Sequence, residues 1–180
     1  MIGLNVKADA REVERVLAGI RGGAPTVLRR ALNRTITPVR AEAARDVAQD
    51  MRVRVGTARR AMALRRATNR SLEASVTASG QRIPLIEFRA RPVRQGISYD
   101  LGRGRTVAKG AFLSTMKSGH RGAFRRKGKS RLPIGELRGP SIPHVFLQEK
   151  IVEAMRRVAG KVWSAEVERQ LRFFLSRRHG

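Results

Sequence analysis

Cysteine is absent from the 180 residues. This absence excludes disulfides, thiol nucleophiles and the thiolate ligands of zinc and iron–sulfur sites, and it leaves the redox compartment open. Acidic residues are scarce, because 14 Asp and Glu stand against 39 Lys and Arg, which leaves a formal net charge of +25. Aromatic residues make up only 4% of the chain, so a surface that stacks on nucleic-acid bases is not supported.

Long apolar runs are also missing. No stretch approaches the roughly 18 consecutive apolar residues that cross a bilayer, so no membrane association is expected. Residues 1–9 lack the basic leader and apolar core of a signal peptide. The length and the 41% hydrophobic fraction predict a single soluble domain over residues 1–180 with an ordinary core.

The positive charge is concentrated in the middle of the chain. Residues 51–138 hold 22 basic and 4 acidic residues, a net charge of +18, whereas the two flanks together have +7. Like charges at this density favour anionic partners such as nucleic acid, an acidic protein surface or anionic lipid. A GC-rich genome would explain part of the preference for Arg over Lys, but not the shortage of Asp and Glu.

The N-terminal third is predicted to be mainly helical after one short strand at Ile2–Val6. A first helix is expected between Asp9 and Gly22, and a second begins near Pro25. The second helix should be kinked or interrupted at Pro38. Its predicted core positions follow helical spacing: Leu28, Leu32, Thr35, Val39, Ala43 and Val47. A third short helix is predicted over Ala58–Ala67, capped by Thr57.

Alternating apolar residues over 71–127 predict an antiparallel sheet, with a hairpin tip at Gly102–Arg105. Residues 118–143 are rich in Gly, Pro and Arg, and we expect a long basic loop there. From Pro143 a helical pattern returns, as two stretches or as one helix of roughly 35 residues. The fold class is therefore α+β, divided into a mainly helical part (1–70), a β-rich basic region with a loop (71–143) and a C-terminal helix or arm (144–180).

The C-terminal helix carries an apolar stripe that is wider than a solvated arm requires. It is predicted either to close the core or to form a subunit interface, through Trp163, Val167, Leu171 and Phe174.

No constellation in the sequence favours an enzyme. His120, His144 and His179 lie in a Gly/Arg segment, at a helix start and at the terminus, without the spacing of a metal pair. The Glu pairs on helices are two residues apart and point to different faces. We therefore predict no catalytic, cofactor or metal-binding residues.

Arginines on hairpin tips and loops can follow a phosphate backbone without reading its sequence. The candidates for contact with DNA or a partner are Arg103, Arg105, Lys109, Arg121, Arg125, Arg126, Lys127, Lys129 and Arg131. An acidic protein surface would satisfy the same electrostatics, so DNA and a protein partner stay open as alternatives.

Six short segments between residues 83 and 143 carry a family resemblance through their order and spacing. They are Ile83-Pro84-Leu85-Ile86-Glu87-Phe88, Lys109-Gly110-Ala111-Phe112-Leu113-Ser114-Thr115-Met116, Gly119-His120-Arg121-Gly122, Lys127-Gly128-Lys129, Arg131-Leu132-Pro133-Ile134 and Gly139-Pro140-Ser141-Ile142-Pro143. Together they resemble the minor tail protein Z family of tailed phages. The resemblance is densest over residues 80–146 and looser over the helical flanks.

The resemblance implies a structural virion protein of long-tailed phages and prophages, made in the bacterial host cytoplasm. It would complete the head-proximal end of the tail, at the neck, where tail joins head and DNA is positioned for delivery. The implied partners are the tail terminator, connector and tube proteins, phage DNA bound nonspecifically, and further copies of the chain in a ring, expected to be a hexamer. The alternative from another class is a free-standing nonspecific DNA-binding or packaging accessory protein.

Overall fold

A computed structural model describes residues 2–7, 11–18, 20, 22–102 and 104–176. Helices occupy both ends of the chain and short antiparallel strands occupy its middle. The helices are α1 (Arg11–Val16), α2 (Gly23–Met51), α3 (Val55–Arg60), α4 (Pro143–Phe146) and α5 (Glu149–Ser176). The strands are β1 (Ile2–Lys7), β2 (Met62–Arg65), β3 (Glu73–Ala78), β4 (Arg82–Pro84), β5 (Arg91–Val93), β6 (Gly96–Asp100), β7 (Arg105–Lys109), β8 (Ala111–Thr115), β9 (Arg121–Arg126), β10 (Ile134–Glu136) and β11 (Arg138–Ser141). The predicted α+β class is confirmed.

Helix α2 is the central element of the core. Its predicted apolar face is buried throughout, as are Thr35 and Ile36. The predicted interruption at Pro38 is wrong, because the helix continues through this residue. An interior proline costs about 3 kcal/mol, and the buried face on both sides of Pro38 offsets that cost by keeping apolar surface from water.

The predicted third helix is only half correct. Residues Val55–Arg60 are helical, but Met62–Arg65 form β2, which pairs antiparallel with β3. Thr57 lies inside α3 rather than at its cap, and its hydroxyl donates to Glu87 Oε2 at 2.7 Å. Pairing with β3 overrides the weak helical propensity here, because it satisfies backbone groups and buries Met62.

The central region is antiparallel, as predicted, but its described strands form separate small sheets instead of one. Their orders are β1-β3-β2, β5-β6-β7, β10-β9-β8 and β11-β4. Strand β4 is short because the chain turns into a 3₁₀ segment at Leu85–Glu87. The β6–β7 hairpin is confirmed: Asp100 faces Arg105, and Gly102 and Gly104 have φ of 93° and 96°, which glycine adopts readily.

The predicted loop over 118–143 is the largest error. The segment contains β9, β10 and β11, and within β9 the residues Gly122, Ala123 and Phe124 are buried. Its glycines serve packing as well as turns. A Cβ on Gly122 would lie 2.9 Å from the Phe124 ring, and one on Gly139 would lie 2.5 Å from the Phe88 ring. Glycine is needed at these positions because an aromatic ring lies against the backbone, and composition alone does not reveal such contacts.

The C-terminal pattern forms two stretches, α4 and α5, which was one of the predicted alternatives. Helix α5 lies antiparallel to α2, since Gly23 at the start of α2 neighbours Phe174, and Asp50 near its end pairs with Lys150. Among the described residues, no helix has both the length and the hydropathy required to span a membrane.

Candidate functional site

The surface of the described chain is positive because basic residues far outnumber acidic ones, and six of the carboxylates are already held in ion pairs. Arginine and lysine side chains form six ion pairs among the described residues, with Glu42, Asp50, Glu87, Glu136, Glu166 and Glu168. Most of the Lys and Arg side chains that the structure describes are not in one of these ion pairs. What matters for function is where the fold brings these cations together.

Arg105 is held by its own sheet. Its Nε donates to Ser98 Oγ at 2.8 Å, and its Nη2 donates to the carbonyls of Ser98 at 3.0 Å and Arg89 at 3.1 Å. Several hydrogen bonds to one guanidinium fix its position, so Arg105 presents a fixed charge. Arg103, the other predicted hairpin arginine, lies outside the described residues.

Arg121 lines a cavity of about 760 Å³ that we call the arginine cavity. Arg52, Arg54 and Arg89 also line it, with Glu87 as the one lining carboxylate. Arg52 and Arg89 have φ of 57° and 53°, a left-handed conformation that is uncommon outside glycine. At Arg52 this conformation ends α2, where its backbone N–H donates to the carbonyls of Ala48 and Gln49. Because Arg105 binds the Arg89 carbonyl, the cavity brings the predicted residues Arg105 and Arg121 into one neighbourhood.

The other predicted cations lie apart from this cavity. Arg125 and Arg126 are at the far end of β9, which spans about 16 Å. They continue into the exposed β9–β10 turn with Lys127, Lys129 and Arg131. The Arg126 guanidinium lies over the Phe112 ring, 5.9 Å from its centroid. Lys109 is exposed at the end of β7. The predicted set is therefore divided between the neighbourhood of the arginine cavity and the β9–β10 turn, and Ala111, two residues after Lys109, pairs with Arg125.

His120 contacts a carboxylate and an aromatic ring of its own chain. Its Nε2 lies 2.7 Å from Glu136 Oε1, and its ring meets the Phe124 ring edge-on at 6.2 Å. Glu136 also accepts from Arg138. Among the described residues, no group of three or more His, Cys, Asp or Glu side chains is placed to hold a metal ion.

The predicted subunit-interface stripe packs within the chain. Trp163, Val167, Leu171 and Phe174 are half-buried against a small apolar cluster formed by Val13, Leu17, Val27 and Leu28. Their further use between subunits stays a prediction.

Sequence reasoning missed a second basic surface, which we call the α2–α5 groove. It has a volume of about 850 Å³, and its arginines are Arg29, Arg30, Arg34, Arg66 and Arg169. The first three recur on one side of α2 at helical spacing and could have been found from the pattern. Arg66 and Arg169 come from distant parts of the chain, so their arrival at the same groove depends on the fold.

A family model described as prophage minor tail protein Z matches residues 10–177. The chain belongs to the prophage minor tail protein Z family. The match covers nearly the whole chain, including the arginine cavity and the α2–α5 groove, and it confirms the resemblance carried by the segments between residues 83 and 143. No curated protein and no solved structure matched the chain. The family gives this chain a structural role in the phage tail and implies a place in the virion among other tail proteins.

Proposed function

We propose that this chain completes the head-proximal end of the phage tail, joins it to the head at the neck, and holds DNA there by contacts to phosphates. Family membership supplies the tail role. The arginine cavity and the basic β9–β10 hairpin are the observations that support a DNA-facing role within it.

The electrostatics favour phosphate as the ligand of this surface. Exposed arginines without carboxylate partners attract a polyanion from a distance and hold it without base contacts. Fixed guanidinium groups such as that of Arg105 also bind phosphate oxygens in a defined geometry. Nonspecific holding is what a channel through which any DNA sequence passes requires.

The proposed assembly is a ring of copies around that channel, with sixfold symmetry as the expectation. In such a ring the arginine cavity and the hairpin face the lumen, and the tail terminator, connector and tube proteins are the neighbours. A structure of the intact particle neck tests this arrangement directly. Density for the chain at the head-proximal end supports it, whereas density at the distal tip refutes it.

DNA binding by the purified chain provides the biochemical test. Affinity for a short duplex is measured by fluorescence anisotropy between about 50 and about 200 mM salt, and log K should fall linearly with log salt. Replacing the exposed residues Arg121, Arg125 and Arg126 by alanine should make the slope of log K against log salt less steep by about 3, because each lost phosphate contact removes about 0.9.

The matched control removes three exposed charges elsewhere, in the variant R15A/R156A/K161A on α1 and α5. Its slope should stay close to that of the parent. If the slope decreased equally in both variants, net charge alone would account for DNA binding. In phage complementation, the same R121A/R125A/R126A variant should produce particles defective in DNA delivery, and the control should not.

A further inference from the structure

The α2–α5 groove combines a strongly basic wall with an apolar floor. Arg29, Arg30 and Arg34 enter it from α2, Arg66 from the end of β2, and Arg169 from α5. Val162, Pro38 and Phe173 also line it, and Phe173 is 45% exposed although it is a large apolar side chain.

Within the part of the chain that the structure describes, four of these five arginines form no ion pair with a carboxylate, and Arg169 is the exception. The one acidic lining residue, Glu166, already accepts from Arg169 at 2.6 Å. Arg66 donates only to the Asn33 carbonyl, at 3.4 Å, and Arg30 lies over the Phe173 ring at 5.7 Å. The buried Nε of Arg29 has no hydrogen-bond partner among the described residues. The groove therefore has charge available for an anionic ligand.

The positive field continues beyond Arg66. The pKa of the Arg40 guanidinium is lowered by its burial and by the nearby charges of Arg59 and Arg66. Like charges this close repel each other, and a ligand that carries carboxylates would relieve the repulsion.

The apolar floor discriminates between anionic partners. Duplex DNA presents phosphates along its backbone and has no apolar surface to cover Phe173 and Val162. An amphipathic peptide with carboxylates on its flanks satisfies both parts of the groove, in the helix-in-groove mode of recognition. A helix from a second copy of this chain is disfavoured as the occupant of the groove, because both long helices, α2 and α5, contain more basic than acidic residues.

The dimensions set the size of the ligand. The lining residues extend from Arg29 to Pro38 on α2 and from Val162 to Phe173 on α5, which is about 14–17 Å at 1.5 Å per helical residue. This length accommodates about three turns of helix.

We propose that the α2–α5 groove binds an acidic amphipathic helix of about three turns that belongs to another protein. Its carboxylates pair with Arg29, Arg34 and Arg66, and its apolar face covers Phe173 and Val162. This inference does not depend on the DNA-facing role proposed for the arginine cavity and the β9–β10 hairpin.

The test uses the full chain and a fluorescein-labelled peptide of about 12 residues, with Leu on one helical face and Glu on the other. The probes for comparison are a scrambled peptide of the same composition and a short DNA duplex. The amphipathic peptide should bind at least about tenfold more tightly than the scrambled one, since both carry equal charge. Equal affinity of the two peptides would overturn the proposal, as would a duplex that displaces the bound peptide from the groove.

Variants locate the site. R34E/R66E reverses two exposed charges in the groove and should weaken peptide binding by at least about tenfold. The matched control R91E/R94E reverses two exposed charges at β5 and the turn after it and should have little effect. If both variants weaken binding equally, the groove has no special role. Should R34E/R66E fold poorly, the neutral variant R34Q/R66Q makes the same comparison against R91Q/R94Q.

Discussion

The substitution Gly139→Ala tests the part of the fold that the sequence pattern misassigned. Gly139 is buried in β11, and an added Cβ would lie 2.5, 3.0 and 3.1 Å from three atoms of the Phe88 ring. Phe88 is itself fully buried, so its ring has little room to move away. Overpacking of a core in this way costs about 1–3 kcal/mol of unfolding free energy.

Gly160→Ala is the matched control, because it adds the same methyl group where nothing lies within 4 Å. Gly160 is exposed within α5, and alanine there should stabilise the chain by about 0.5–1 kcal/mol. The free energy of unfolding should therefore decrease in G139A and increase in G160A.

Urea unfolding followed by fluorescence of Trp163, the single tryptophan, measures both variants. With a slope of about 1–3 kcal/mol per molar urea, a loss of about 2 kcal/mol in G139A lowers the midpoint by about 0.7–2 M. An unchanged or raised midpoint in G139A would show that Gly139 is not packed against Phe88, and would favour the predicted loop over residues 118–143.

Three further predictions concern charge and core closure. Burial, and to a smaller extent the charge of Glu42, raises the pKa of Asp46, so the ionised carboxylate destabilises the folded state. D46N should therefore have a larger free energy of unfolding than the parent at pH 7. This difference should vanish below pH 3.8, where Asp46 is protonated in both the folded and the unfolded chain. R105A should lose about 1–3 kcal/mol of unfolding free energy and K109A almost none, since only Arg105 has these hydrogen bonds. Truncation after Gly160 uncovers the α1–α2 apolar cluster and should yield insoluble protein; a soluble product with native circular dichroism would contradict this.

Local sequence patterns predicted correctly the elements that have a long apolar face or glycines at a tight turn. Helix α2 has its predicted core positions buried, and the β6–β7 hairpin turns on glycines with positive φ. Periodicity failed where tertiary pairing decides the structure. Met62–Arg65 form a strand because they pair with β3. Residues 118–143 contain three strands because β9 pairs with β8 and β10 and β11 pairs with β4, with glycine where Phe88 and Phe124 leave no room for a side chain.

For the candidate surfaces, the sequence alone determined the sign and size of the charge, the absence of thiol chemistry, and the family through its ordered short segments. The division of the chain at residues 70 and 143 stays a prediction. Only the tertiary structure decided which arginines act together. It joined Arg52, Arg89 and Arg121 in one cavity, and Arg34, Arg66 and Arg169 in one groove. The physical reason is that electrostatic potential depends on distance in space, and pairing between segments far apart in the chain sets those distances.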